Sequence, residues 1–123
     1  MKKRPNRCTG AALSIASCLL EVACPQAPSR IVTFVSGPCT FGPGMIVSTN
    51  LEESIRQHID IDKEKTPFLA PATKYYSSIA ERCRKNRQTI DLFACSLDQI
   101  GLLEMRSCIE STGGHVCCTT QLS

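Results

Sequence analysis

The sequence predicts an α/β protein with a mostly parallel sheet and flanking helices. Three observations lead there. Short β-branched apolar runs, "IVTFVS" at Ile31–Ser36 and "TIDLFAC" at Thr89–Cys95, alternate with longer helical patterns. Those runs show little polar alternation, as strands buried on both faces do. A chain of 123 residues also suits one domain and is short for two.

Composition narrows the class further. With 42% hydrophobic and 20% charged residues, disorder of the whole chain is not expected. Aromatic residues make up 5% and Trp is missing, so the core rests on Leu, Ile, Val, Ala and Cys. A net charge of +3 does not by itself imply nucleic acid. No apolar core of the kind a secretory signal needs follows MKKRPNR. The longest apolar stretch, Ala11–Ala23, is interrupted by Ser14, Ser17 and Glu21 and falls short of a membrane span. The nine cysteines are odd in number and irregularly spaced, and Cys18, Cys95, Cys108 and Cys117 sit inside apolar runs. A cytosolic protein with reduced, mostly buried thiols is expected.

Residues 1–8 form a basic arm carrying Lys2, Lys3, Arg4 and Arg7. It reads as a solvated arm, with electrostatic contact to a phosphate-bearing surface as the sharper alternative. No aromatics are interleaved with its charges, which disfavours base stacking. Residues 9–123 form the single α/β domain. Thr9 caps a helix from about Ala11 to Ala23, whose Ala12, Leu13, Ile15, Ala16, Leu19, Leu20 and Ala23 cover most of its surface. Such a helix is expected to pack on more than one side, and Pro25 and Pro28 stop it. Ile31–Ser36 is the first buried strand. "GPCTFGPG" after it makes a turn-rich loop, Met45–Val47 adds a short extended piece, and Leu51–Lys65 is an irregular excursion.

The second helix carries Leu69, Ala72, Tyr76, Ile79, Ala80 and Cys83 on one stripe. Arg82, Arg84, Lys85 and Arg87 crowd its end, where cations oppose the helix dipole favourably. Pro67 suits a first turn, whereas Pro71 predicts a kink near the start or a helix beginning only there. Thr89–Cys95 is the second strand. Ser96 and Gln99 have capping-box spacing with Asp98 in the first turn. Leu102, Met105, Cys108 and Ile109 give the last helix its buried stripe, Gly113-Gly114 ends it, and His115–Thr120 is the third strand. Right-handed crossovers are expected between the parallel strands.

Candidate chemistry is sparse. Asp98 follows a buried strand, at the sheet edge where α/β proteins place functional carboxylates. Capping explains its position without chemistry, and no His or second carboxylate lies near it in sequence. His115-x-Cys117-Cys118 suggests a metal site, but strand residues alternate between faces, and no C-x-x-C pair exists. "GPCTFGPG" lacks the Gly-Lys-Ser/Thr ending of a phosphate loop and reads as a tight turn. Catalytic, cofactor-binding and metal-binding residues are each expected to be none.

Four stretches in order resemble one family. "RPNRCTGAALSIASCLLE" resembles its trunk motif of Arg-x-Thr-Gly followed by a small-residue helix. "RIVTFVSGPCTFGPGMIVS" resembles its strand and double Gly-Pro loop, and "IDLFACSLDQIGLLEM" and "TGGHV" resemble the strand–helix–strand that follows. The family is the GTPase-activating subunit of the inner COPII coat. The resemblance implies a partial trunk domain of von Willebrand A-like, Rossmann-type fold. That fold often holds a metal through an Asp-x-Ser-x-Ser strand end, a Thr loop and a later Asp. Thr9 stands at the Thr-loop position, but Gly37-Pro38-Cys39 follows the strand and no Asp-x-Ser-x-Ser is present, so no metal is expected.

The resemblance further implies a coat scaffold in ER-to-Golgi transport. Its partners are the cargo-selecting coat subunit, the small coat GTPase and an acidic membrane surface, with no nucleic acid. Its place is the cytoplasm, at COPII vesicles and the cytosolic face of the ER. Family chains are several times longer, with a zinc module, all-β, helical and gelsolin-like regions. The catalytic arginine lies in that last region, beyond Ser123, so no arginine here takes its role and no enzyme activity is expected. A fragment lacking earlier strands is expected, since nothing N-terminal can pair with Ile31–Ser36. The alternative is a small stand-alone α/β nucleotide-binding protein or enzyme.

Overall fold

In the computed structural model the described residues are 3–51, 55, 67–95 and 99–118. Their order is α1 (Thr9–Ala23), β1 (Ser29–Val35), α2 (Leu69–Lys85), β2 (Gln88–Ala94), α3 (Leu102–Glu110) and β3 (Val116–Cys118). The strands form a parallel sheet in the order β1-β2-β3. The α/β architecture expected from the alternation of patterns is therefore the one present.

The core lies on one face of the sheet. Ile31, Val35, Ile90, Leu92 and Ala94 point to it, and Leu13, Tyr76, Ile79, Met105 and Ile109 from the three helices complete it. Strand parity sends Arg30, Val32, Phe34, Phe93 and Cys117 to the other face. There Val32 is 49% and Phe34 74% exposed, and Phe34 stacks on Phe93 with centroids 5.2 Å apart. The strand at Ile31–Ser36 is expected to be covered on both faces, with nothing N-terminal in the chain to pair with it. Among the described residues β1 instead has one open face, because all three helices lie on the other, and β2 is its one neighbour.

The same asymmetry corrects the reading of α1. The helix buries only Gly10, Leu13 and Ser17, while Ile15, Leu19 and Val22 are 60%, 65% and 83% exposed. It therefore packs along one side, not several. Thr9 is the first helical residue and Cys8 takes the cap position without a side-chain bond, so Thr9 does not cap.

Two other helix starts differ from expectation. Helix α2 begins at Leu69, which puts Pro71 in the first turn. A proline there costs no backbone bond, because the first turn's N–H groups lack intrahelical partners anyway. Its buried stripe is Ala72, Tyr76, Ile79, Ala80 and Cys83, as the spacing indicated, while Leu69 at its start is only half-buried. Helix α3 starts at Leu102, after Gly101 at φ 82°, and not at Ser96-x-x-Gln99. A side chain at Gly101 would meet Ile46, its Cβ 2.6 Å from Ile46 Cδ1, so glycine is required there on two counts. Ile46 and Val47 are buried but form no strand. Ser96 and Asp98, most of the Leu51–Lys65 excursion and the end of the His115–Thr120 strand lie outside the described residues.

Candidate functional site

Two conspicuous loops of the sequence meet in space. Arg7-Cys8-Thr9-Gly10 enters α1, and Gly37–Gly44 leaves β1 at the carboxyl end of the sheet. Arg7 O accepts from the amides of Thr40 and Phe41 at 3.0 and 3.2 Å. Thr40 Oγ1 accepts from Arg7 N at 3.0 Å and donates to Pro5 O at 2.7 Å. The backbones close on each other through glycine: a Cβ on Gly10 would stand 2.1 Å from Pro43 O, and one on Gly37 2.6 Å from the Arg7 guanidinium carbon.

Two adjacent tyrosines of α2 lock this junction from below. Tyr75 donates to Gly10 O at 3.0 Å and Tyr76 to Gly44 O at 3.1 Å. Burial, reinforced by the neighbouring Cys39 thiol, pushes the Tyr76 phenol far above its ordinary value, so it stays a neutral donor. The Gly-Pro loop thus spends its curvature on packing against the Arg-x-Thr-Gly segment. Its backbone forms a tight turn, as its sequence indicated.

The basic segment before Cys8 is tied down. Arg4 donates from Nη1 to Asn50 O at 2.7 Å and to Ser48 O at 3.3 Å, its backbone N–H bonds Thr49 O, and Lys3 bridges Asn50. A solvated arm is not what residues 3–8 form. Their backbone groups find partners in two loops, and that fixes them.

On the open face of the sheet, Arg30, Asp91 and His115 make a second constellation. Arg30 Nη1 reaches both Asp91 carboxylate oxygens, at 2.8 and 2.6 Å, and His115 donates its backbone N–H to Oδ1 at 2.9 Å. The Arg30 hydrogen bond and the His115 amide hold the Asp91 carboxyl below the usual carboxylate range. Such a carboxylate is a poor general base, so the trio ties β1, β2 and β3 together. Sequence reasoning passed over it. The available signal was that Arg30 and Asp91 are the only charges bordering or interrupting the two apolar runs.

The cysteines divide by location, and the expectation of mostly buried thiols does not hold. Cys39, Cys83 and Cys108 are buried and Cys18 is half-buried, while Cys8, Cys24, Cys95, Cys117 and Cys118 are exposed. Cys117 lies on the open face and Cys95 just past the end of β2, and no helix among the described residues covers either. Burial pushes the Cys108 thiol up to about 12 and raises Cys83 as well, so neither is a ready nucleophile. Among the described residues no group of three or more His, Cys, Asp or Glu could hold a metal. His115 and Cys117 share one face by parity, but Cys118 points to the other.

Between α1 and the free edge of β1 runs a groove of about 590 Å³, lined by Arg7, Ala12, Leu13, Ala16 and the strand itself. Within β1, Thr33 Oγ1 is buried without a hydrogen-bond partner. Among the described residues no helix is long and apolar enough to cross a membrane.

Comparison with known proteins gives a match along the whole chain. The Sec23/Sec24 trunk domain profile matches residues 1–123, the basic segment included. The chain is 49% identical over 113 residues to "Protein transport protein SEC23 F" of Arabidopsis thaliana. The matched stretch is 92% of this chain and 15% of that relative's length.

Proposed function

Since this chain belongs to the Sec23/Sec24 trunk-domain family, we propose that it serves as a docking piece of a vesicle coat in ER-to-Golgi transport. The observation that carries this reading is the 49% identity to a protein named for protein transport, spread over 92% of the chain. The geometry is in keeping with it: the polar clusters are spent on holding strands and loops together, and the large accessible features are surfaces. The partners are other coat components, namely the cargo-selecting subunit and the small coat GTPase, on the cytosolic face of the ER membrane. Lys2 and Lys3 supply charge toward acidic lipid, while Arg4 and Arg7 are engaged within the chain.

In this reading the chain performs no catalysis of its own, holds no metal, and leaves GTP hydrolysis by the coat GTPase unchanged. Residues 9–123 act as part of a trunk domain. The stand-alone nucleotide-binding alternative is weaker, because the Gly-Pro loop closes on Arg7–Gly10 and carries no lysine. Mixing the chain with purified cargo-selecting subunit tests the docking, with a stoichiometric complex as the expected result. Failure to associate at micromolar concentration overturns it. Single-turnover GTP hydrolysis tests the second part. Added chain should leave the rate as it was, whereas an arginine finger gives about 10³–10⁵-fold.

A further inference from the structure

We propose that the turn between α2 and β2 is a docking site for an acidic polypeptide segment, held by Arg84, Lys85 and Arg87. Arg87 stands at φ 57°, in the left-handed region that residues other than glycine mostly avoid. It follows Asn86, the C-cap of α2, and so occupies the position where helices ordinarily take glycine. The bend serves the backbone well. Arg87 N–H returns to Arg84 O at 3.4 Å, and Arg87 O accepts from Ser29 N–H at 3.1 Å, which ties the turn to the start of β1. Glycine would make both bonds without the strain. What arginine adds is a side chain, exposed and without a hydrogen bond or ion pair among the described residues. Strained residues of this kind persist where their side chains have a use.

Arg87 does not stand alone. Arg84 and Lys85, in the last turn of α2, are also exposed and make no ion pair among the described residues. Arg82 is already taken by Glu21, 2.9 Å away. Compensation of the helix dipole accounts for cations at 84 and 85, but Arg87 lies beyond the last turn. The three helix-to-strand connections, residues 24–28, 86–87 and 111–115, gather at the amino end of the parallel sheet, and none holds Asp or Glu. The turn also sits in the middle of the described structure, because β2 is the central strand and α2 packs against both α1 and α3.

The borders of the patch select a narrow occupant. Glu81 lies one turn before Lys85 on α2, and Glu21 sits beside Arg82. A broad anionic sheet such as a membrane would meet those carboxylates as well. An extended run of Asp or Glu can cross Arg84, Lys85 and Arg87 alone, with opposite charges facing throughout. Two of the three cations are arginines, whose planar fork takes a carboxylate in bidentate fashion. Residues 84–87 include no apolar side chain, so binding rests on charge, is weak, and is screened by salt. The site does not depend on the coat function proposed above.

Binding of a labelled hexaglutamate peptide to the whole 123-residue chain, followed by anisotropy and by amide shifts in NMR, tests the site. No coat component is present, so the outcome is separate from that of docking to the cargo-selecting subunit. Saturable binding that weakens as salt rises is expected, with the largest shifts at residues 84–87. Arg87→Gly should weaken it about two- to fivefold while raising the unfolding midpoint, since glycine relieves the strained φ. Lys74→Gln, at an exposed cation nearer the start of α2, should leave it unchanged. Arg84→Gln, Lys85→Gln and Arg87→Gly together should reduce it to the level of an uncharged peptide. Absence of salt-sensitive binding, or shifts centred elsewhere, overturns the proposal. So does tighter binding of the same residues to phosphatidylserine vesicles, or a triple variant that binds as well as the unaltered chain. Should the triple variant fail to fold, the shift map of the unaltered chain and Arg87→Gly still decide.

Discussion

Gly10 shows how one missing carbon can hold a junction together. Gly10→Ala pushes a Cβ to 2.1 Å from Pro43 O, backbone that cannot swing aside. The expected cost is about 1–3 kcal/mol, read as a lowered midpoint in urea unfolding. Asp91 offers a second test at this scale. Its folded carboxyl titrates below the unfolded value near 3.9, so its contribution is present above that pH. It is lost as pH falls through the lower folded value. Arg30→Ala should move the Asp91 titration, followed by carboxyl NMR, back up toward the ordinary range. An unmoved titration would show that the His115 amide, not Arg30, sets it. Neither role stood out in the sequence. Gly10 looked like part of a motif, and Asp91 like a polar interruption, because both depend on groups more than twenty residues away in the chain.

Helix α1 carries the contrast between being apolar and being covered. Leu13 lies in the core, and Leu13→Ala should cost about 2–5 kcal/mol. Leu19 is largely exposed, and Leu19→Lys should change stability by no more than about 0.5 kcal/mol. Equal losses at both sites in thermal unfolding would mean that a second layer covers the helix. The stripe of α2 was legible because its polar face is as clear as its apolar one. That of α1 was not, since apolar residues cover most of its turn and nothing local says which side meets the sheet. The Ser96-x-x-Gln99 spacing misled in the opposite way. It has the residues of a cap, yet the start of α3 is set by Gly101 at positive φ and by Ile46, a residue distant in sequence.

At the scale of the molecule, strand and helix order was readable because each element carries its own period and its own stop. Layering was not, because all three helices pack on one face and the other is left open. That arrangement sorts the thiols. Cys8, Cys24, Cys95, Cys117 and Cys118 should react quickly with a maleimide at neutral pH, and Cys39, Cys83 and Cys108 only on unfolding. Cys83 and Cys108 have folded values raised above the unfolded one near 8.5. The stability they contribute is therefore intact below that pH and falls as pH rises through it, so the unfolding midpoint should drop under alkaline conditions. The tyrosine lock has an optical consequence. The chain has no Trp and only two Tyr, which are Tyr75 and Tyr76. Both phenols donate to carbonyl oxygens at one place, the meeting of Gly10 and Gly44. Hydrogen bonding of a phenol to an amide carbonyl dims its emission. The chain's tyrosine fluorescence is thus a gauge of that single joint, brightening when it opens even if the sheet stays closed.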